Sequence, residues 1–253
     1  MAKNKHLKKP DQNNAAQSNK LVEATYKMSV PAKRVMLMLL GQIHPGQQDI
    51  SGKIQIHASD YSQKTGISLH QSYVDIKKGC HELMKTIITT RHQKEKSTEM
   101  CVVVSWMKYH DNEGWLEATF TQWIAPYLHS LSGKKGYTSI RIDEAVKFKR
   151  FYTIRLYELL MQWESTGKRY IKIESLRQVF QIETSKYVKF GAFRKYVLEP
   201  SIYEINEKTS WSVNWEPVKT GRKITSISFS FSFPKNDAPP KLERCPDTME
   251  MFS

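Results

Sequence analysis

Hydrophobic positions fall into short runs along the chain, and their spacing alternates between helical and extended patterns. The run PAKRVMLMLLGQI begins with Pro31, which suits a first helical turn, and predicts a mostly buried helix. GKIQIHA alternates isoleucine with polar residues and predicts a short strand. Residues 58–86 predict two helices, because Gly66 breaks the pattern and Ser68 suits the N-cap of the second helix.

Two strand-like runs complete this first series of elements. MCVVVSWMKYH and GWLEATFTQWI surround DNEG, a turn signal at residues 111–114, and predict a hairpin. A second series then follows in the same order. It comprises the helix DEAVKFKRFYTIRLYELLMQWE capped by Asp143, the strand YIKIE, a helical pair that breaks near residues 183–185, and the strands WSVNWEPV and KITSISFSFS around the turn KTGR.

The spacing of matching segments indicates a duplication. KIQI and YIKI lie 117 positions apart (171 − 54), and so do the cation pairs that begin at Lys77 and Arg194 (194 − 77). Helix, strand, helix-turn-helix and hairpin is the order of a winged helix. The predicted fold class is therefore α+β, with two tandem winged-helix domains related by an internal duplication. The alternative is that short apolar runs match this order by chance.

Polar and glycine-containing segments predict the domain boundaries. Residues 1–19 are rich in Lys, Asn and Gln and predict a disordered basic tail. The remaining divisions are a first winged-helix domain at 20–132, a linker at 133–142 that contains Gly133 and Gly136, a second winged-helix domain at 143–234, and a C-terminal tail at 235–253.

The chain is strongly basic, with a formal net charge of +14 and a pI of about 9.5 over 253 residues. The excess is greatest in residues 136–233, where 17 Lys and Arg face 10 Asp and Glu. Such a balance favours a polyanionic partner, most often nucleic acid, with an anionic membrane second. No stretch approaches the roughly 20 apolar residues that a membrane span needs, so we expect a soluble cytoplasmic protein without a membrane partner.

The second helix-turn-helix carries the strongest candidates for DNA contact. Its recognition helix is predicted to begin around residues 186–190, and Phe193 and Val197 share its anchoring face. The cations emerge elsewhere, and arginine suits bidentate contact with guanine, so Arg194 is the expected base reader. A solvated basic face is the alternative. The predicted contacts of this segment are Lys186, Lys189, Arg194 and Lys195.

A basic hairpin tip strengthens this interpretation. Lys219, Arg222 and Lys223 lie at the hairpin tip KTGRK, where winged helices commonly touch the backbone of the flanking DNA. The first unit offers Gln71, Lys77 and Lys78 on its recognition helix, but its hairpin tip HDNEG is acidic. We therefore expect the first unit to contact DNA through fewer groups and without its wing.

Signals for enzymatic chemistry are weak. The three cysteines form no CxxC pair, which disfavours structural zinc and disulfides, and GxxxxGK[ST] is absent. No pair of histidines accompanies a tyrosine as a nicking endonuclease would need. We predict no catalytic residue, metal or cofactor, and we expect the tyrosines at helical spacing to lie in the core, namely Tyr152, Tyr157, Tyr187, Tyr196 and Tyr203.

Several stretches in order resemble one family over residues 20–233. They are LVEATYKMS, KRVMLMLLGQI, RLYELLMQW, FRKYVLEPSIYEIN and VKTGRKITSISFSF, and they are similar to the iteron-binding plasmid replication initiators. The family's base contacts fall on Lys189, Arg194 and Lys195 of this sequence. One basic family position that follows this pair is occupied here by Tyr196, so the target sequence is expected to differ.

The resemblance implies double-stranded DNA as the partner. Monomers would bind iteron direct repeats with both domains, open the origin and engage host replication proteins, namely the helicase and the host initiator. Homodimers formed through the first domain would repress the initiator's own gene at an inverted repeat. The dimer-forming region would fall on RVMLMLLGQI and the first-domain hairpin.

These features lead to one main hypothesis, a non-enzymatic replication initiator that represses its own gene. A sequence-specific transcriptional repressor without an initiation role is the alternative, because it needs the same DNA-binding surface. A nicking enzyme is a third option.

Overall fold

A computed structural model describes residues 13–43, 50–92, 96–110, 113–128 and 136–233. The first elements are a short strand and a short helix, β1 (Asn14–Ser18) and α1 (Asn19–Glu23). The predicted C-terminal tail at 235–253 and the first twelve residues lie outside the described ranges.

The first unit, residues 30–120, has the predicted winged-helix order. Its elements are α2 (Val30–Leu40), β2 (Ile54–His57), α3 (Ala58–Thr65), α4 (Leu69–Leu83), β3 (Ile87–His92), β4 (Ser97–Val102), β5 (Val104–His110) and β6 (Trp115–Phe120). Gly66 ends α3 with φ of 72°, a left-handed conformation that glycine adopts without strain. The Ser68 hydroxyl accepts a hydrogen bond from the Gln71 N–H at 3.3 Å and caps α4 as predicted.

The first hairpin differs from the prediction in one respect. The run MCVVVSWMKYH is divided at Val103, which separates β4 from β5. β4 pairs with β3 as an extra antiparallel hairpin, whereas β5 pairs with β6. Alternating apolar residues cannot reveal this division, because both strands have the same period of two.

The second unit, residues 151–232, follows a short connecting strand and helix, β7 (Tyr137–Arg141) and α5 (Ile142–Ala145). Its elements are α6 (Phe151–Met161), β8 (Lys168–Lys172), α7 (Ile173–Val179), α8 (Phe190–Phe193), a π-helical turn (Arg194–Leu198), α9 (Glu199–Lys208), β9 (Ser212–Thr220) and β10 (Lys223–Ser232).

The two units have equivalent antiparallel sheets. Strand order is β2-β6-β5 in the first unit and β8-β10-β9 in the second, so in each the short early strand pairs with the last strand. This shared topology confirms the α+β fold with two tandem winged helices.

The helix predicted from Asp143 onward is interrupted. α5 ends at Ala145 and α6 begins at Phe151, and Asp143 lies inside α5 rather than at its cap. The backbone between these helices turns away from helical geometry because Val146 and Phe148 are buried and the Lys149 N–H donates to Glu204 at 2.6 Å. Local backbone hydrogen bonds continue from Val146 to Phe148, and at Lys149 the tertiary contact takes their place.

The N-terminal segment is ordered where disorder was predicted. β1 pairs antiparallel with β7, from Asn14 opposite Arg141 to Ser18 opposite Tyr137. Ala15 and Gln17 are fully buried. The prediction of a disordered tail over 1–19 is therefore wrong for residues 14–19, which form β1 and the first residue of α1, and part of the predicted 133–142 linker is strand β7. The other domain boundaries stay predictions.

A fully buried ionic cluster joins the N-terminal segment to both units. Glu158 on α6 lies 2.7 Å from the Nζ of Lys33 on α2 and 2.6 Å from the Nη1 of Arg155. Gln17 donates to the same carboxylate at 3.0 Å, and Tyr26 accepts from Lys33 at 2.7 Å. The cluster fixes α2 against α6, because each buried charge depends on partners from another element.

Burial and neighbouring charges act on the same groups in opposite directions. Burial would raise the pKa of Glu158, but the charges of Lys33 and Arg155 outweigh it and hold that pKa below its ordinary value. Burial lowers the pKa of Lys33 to about 8, although the attraction of Glu158 acts to raise it. The carboxylate is thus the anion on which two buried cations depend.

Candidate nucleic-acid interface

The recognition helix of the second unit, residues 190–208, is called here the second reading helix. It is the second helix of the helix-turn-helix, and α8, the π-helical turn and α9 follow one another in it without a break. Its inner face is formed by Phe193, Val197 and Leu198, each exposed by 2% or less, and by Ile205. The aromatic and aliphatic residues hold the helix against the unit, as predicted.

A π-helical turn lies where this helix carries its cations. Pro200 has no N–H and its ring conflicts with the carbonyl four residues earlier, so regular α-helical bonding fails at Tyr196. The Glu199 N–H instead bonds the carbonyl of Arg194, five residues before. Such turns are frequent at functional sites. Pro200 within a helical pattern was the available sequence signal for this feature.

Arg194 and Lys195 lie on this turn and are exposed. The Arg194 Nε is 3.4 Å from Glu199, and both side chains are about half exposed. Lys195 lies 5.4 Å from the ring centre of Tyr196, which is 56% exposed and stacks on Tyr187. The expectation that Tyr196 and Tyr203 lie in the core is therefore wrong, whereas Tyr157 is fully buried.

The approach to the helix is ordered by a residue that the sequence reading missed. Arg177 donates to the backbone carbonyls of Glu183, Lys186 and Tyr187 at 2.7–3.1 Å. Lys189 immediately precedes the helix and is exposed. An arginine two residues before the end of a short helix gave no distinctive sequence signal for this role.

Lys186 lies in the turn before the helix, and not on the helix itself. Its Nζ bonds Glu183 at 2.9 Å, and this hydrogen bond raises the pKa of Lys186 while it lowers the pKa of Glu183. Lys186 therefore lies in an exposed ion pair with Glu183, as Arg194 does with Glu199.

The second hairpin places three predicted cations at its tip. β9 and β10 pair up to Thr220 and Lys223, which leaves Gly221 and Arg222 as a two-residue turn. Gly221 has φ of 60°, as turns with glycine in the first central position require. Lys219, Arg222 and Lys223 are all exposed. Their contact with DNA stays a prediction.

The first reading helix, α4, has a different surface. Gln71 donates to Asp75 at 2.8 Å, which leaves its carbonyl oxygen directed away from that bond. Lys77 lies 5.3 Å from the ring centre of Tyr109, and Lys78 is exposed. The sequence reading missed the exposed apolar side chains of this helix, Leu69 (49%), Tyr73 (43%) and Val74 (46%).

Aromatic stacking and acidic contacts characterise the first hairpin near its tip. His110 stacks on Trp115 with ring centres 3.5 Å apart, and the Trp115 Nε1–H donates to Glu113 at 2.8 Å. Residues 111–112 of the predicted acidic tip lie outside the described ranges. Among the residues that the structure describes at the two tips, the cations lie on the second hairpin.

Other kinds of site find little support in the described part of the chain. Those residues contain no group of three or more His, Cys, Asp or Glu side chains that could hold a metal ion. Cys80 and Cys101 are free, and Cys245 lies outside the described ranges. Within the same ranges, every helix is too short or too polar to span a bilayer.

Two winged helices with exposed reading helices define a tandem winged-helix DNA-binding protein. Residues 14–161 match the family described as "Initiator Replication protein, WH1", and residues 172–231 match "Initiator Rep protein, WH2". The chain belongs to this family of plasmid replication initiators. The match of residues 14–161 includes α6, although α6 is the first helix of the second unit in the order of elements.

Relatives and a solved structure agree with this assignment. The PI protein of Escherichia coli is 28% identical over 245 residues, covering 84% of this chain and 80% of that protein. An uncharacterised 27.6 kDa protein of Escherichia coli is 27% identical over 224 residues, covering 83% and 92%. The crystal structure of Pi initiator protein in complex with iteron DNA matches with a TM-score of 0.78 at 26% identity, covering 89% of this chain and 99% of that one.

Proposed function

We propose that this chain initiates plasmid replication by binding iteron repeats at its origin as a monomer. Both units contact one repeat, and the second reading helix supplies the main base contacts through Arg194. Bound monomers promote opening of the origin and recruit the host helicase and initiator. Homodimers repress the gene that encodes the chain at an inverted repeat.

One observation carries this proposal most directly. Exposed Arg194 and Lys195 lie on a π turn whose opposite face is anchored by Phe193 and Val197. Guanidinium and ammonium groups held away from the core suit base edges and phosphates respectively. The match to a chain crystallised with iteron DNA extends over both units and supports the same mode.

The test is a footprint of the purified protein on DNA that flanks its own gene. We expect protection of evenly spaced direct repeats, and at higher protein concentration of a separate inverted repeat. With about eight phosphate contacts per site, log K should fall with log salt at a slope of about −7.

A charge-matched pair of variants assigns the footprint to the second reading helix. Arg194→Ala/Lys195→Ala should abolish specific protection. Lys85→Ala/Lys108→Ala removes two exposed cations elsewhere in the first unit and should retain it. Specific binding that survives in the first variant would reject this helix as the reader.

Replication is tested separately from DNA binding. Deleting the gene while leaving the origin intact should abolish plasmid maintenance, and supplying the chain in trans should restore it. Maintenance without the chain, combined with protection of a single operator, would establish the repressor alternative instead. Nicked circles from supercoiled origin DNA and a divalent metal would establish the nicking enzyme.

A further inference from the structure

A cationic cleft of about 630 Å³ lies between the two units. None of the DNA contacts predicted on the two reading helices lines it. One wall is the N-terminal part of α2 with Arg34, and another is the helix-turn-helix turn at residues 65–67. The third wall carries Lys147 and Lys149, which precede α6, and Lys208 at the end of α9. Within the described part of the chain, four cations and no carboxylate line this cleft.

Arg34 is buried without an ion pair among the described residues. Its exposed fraction is 6%, its Nη2 donates to the carbonyl of Phe148 at 3.0 Å, and its side chain also hydrogen-bonds Tyr61. Its Nε is buried with no hydrogen-bond partner. Tyr61, whose hydroxyl donates to Asp75 at 3.3 Å, also lies against Arg34. A buried guanidinium with an unused donor is costly unless an anion completes it.

Glu204, a carboxylate of the second unit, is already occupied. Glu204 accepts from the Lys149 N–H at 2.6 Å and from Thr153 at 2.7 Å, and it lies 3.3 Å from the Lys208 Nζ. Lys208 also donates to the Lys147 carbonyl at 2.9 Å. Lys208 is therefore partly neutralised, while the side chains of Lys147 and Lys149 are exposed at the cleft.

We infer that this cleft is a phosphate-binding site. Arginine and lysine together are the usual ligands of phosphate oxygens, and the cleft supplies both from two units. The turn at 65–67 leads directly into the first reading helix, and helices that precede a reading helix pass over the DNA backbone. A backbone phosphate between the base pairs read by the two units is the primary source, and a free phosphate compound is the other.

The assignment of the cleft to a DNA backbone phosphate rests on the proposed function. Amine labelling of the intact chain tests this assignment. The full-length protein is acetylated with a small amine-reactive reagent, and each lysine is followed by peptide mass spectrometry. The arms contain chloride, inorganic phosphate at matched ionic strength, or DNA carrying the footprinted repeat. Lys85 and Lys108 serve as exposed reference lysines in the same reaction.

We expect DNA to slow labelling of Lys147 and Lys149 at least threefold relative to the references. Slowing by inorganic phosphate but not by DNA would support the site and assign it to a free phosphate compound. Equal labelling in all arms would overturn the inference.

Salt dependence gives an independent readout that a structural role would not change. Lys147→Gln/Lys149→Gln removes two exposed charges and leaves buried Arg34 in place, so folding is preserved. Its salt slope should be smaller by about 1, since one phosphate contact is lost, whereas Lys85→Gln/Lys108→Gln keeps the wild-type slope. An unchanged slope in both variants would reject the DNA source. Absence of any footprint would instead reject the proposed function, and the phosphate arm would still test the cleft.

Discussion

The second reading helix presents Arg194 and Lys195 on a π turn, whereas the first presents Leu69, Tyr73 and Val74 among its exposed residues. Each of these helices follows a short helix and a turn, and each packs against a sheet with the same strand order. The two units therefore share the parts that bury apolar surface, while their exposed faces differ. In one chain, the same scaffold supports one reading helix that exposes two adjacent cations and another whose exposed face mixes apolar with polar and charged side chains.

The largest expected effect tests whether the two units depend on one another. Glu158→Gln leaves Lys33 and Arg155 buried without their anion, which should lower the unfolding free energy by about 3–5 kcal/mol. Urea unfolding should show both units lost in one transition. The control is Glu207→Gln, an exposed carboxylate on α9, whose effect should stay within about 0.5 kcal/mol. Separate transitions for the units would contradict their coupling.

Arg194→Lys tests whether the second helix reads bases or only neutralises phosphate. The change keeps the charge and removes the planar fork, so specific binding should weaken by about 1–3 kcal/mol while the salt slope stays the same. Lys195→Gln is the complementary variant, and it should lower the slope by about 1 on all sequences. Competition binding at several salt concentrations measures both. Equal losses on specific and random DNA for Arg194→Lys would assign that residue to the backbone.

A pH series tests the cluster that both units share. The pKa of Lys33 is about 8 in the folded chain and 10.5 as its ordinary value, so the folded chain binds fewer protons in that window. The stability contributed by Lys33 should therefore rise with pH, by at most about 1.4 kcal/mol per unit. The difference in unfolding free energy between wild type and Lys33→Met should grow from pH 8 to 10. A constant difference would exclude titration of this lysine.

The apolar surface of the first helix can be tested by removing single methyl groups from DNA. Leu69 and Val74 suit contact with thymine methyl groups in the major groove. Replacing thymine by deoxyuridine in the half-site of the first unit should weaken wild-type binding by about 0.8 kcal/mol per methyl group. Leu69→Ala/Val74→Ala should be insensitive to the replacement. The same substitution in the second half-site is the matched control and should have a smaller effect.

The smallest effect is expected at the hairpin tips. Arg222→Gln/Lys223→Gln should reduce the salt slope by about 1, as expected for one lost phosphate contact at the tip, and should weaken binding to specific and random DNA equally. Glu113→Gln at the first tip should leave the slope unchanged, because the first hairpin is expected not to contact phosphate. A salt slope that changes only for Glu113→Gln would assign the DNA-contacting wing to the first hairpin instead of the second.

The pattern of the chain was sufficient for the repeated architecture and for the ends of several helices. Gly66 and Ser68 define the turn before α4 through their own backbone and side-chain chemistry, so the local sequence is enough to predict this turn. Lys189, Arg194 and Lys195 could be placed on or beside the second reading helix because Phe193 and Val197 define its buried face.

Features that depend on distant partners were missed. β1 lacks apolar periodicity, yet it is ordered because β7 offers backbone groups that need a partner. Arg177 acts on carbonyls that only the folded turn brings within reach. Tyr196 has helical spacing typical of a core residue, but the wider π turn and its stacking on Tyr187 leave it exposed.

By itself the sequence determined the duplicated winged-helix order, the basic character and the cations that precede and follow the second reading helix, because these follow from local periodicity and residue type. Tertiary structure decided the burial of Lys33, Arg155 and Glu158 as one cluster. It also decided the cleft that gathers Arg34, Lys147 and Lys149 from segments more than a hundred residues apart. Electrostatic energy depends on distance and burial, and neither is encoded in the spacing of residues along the chain.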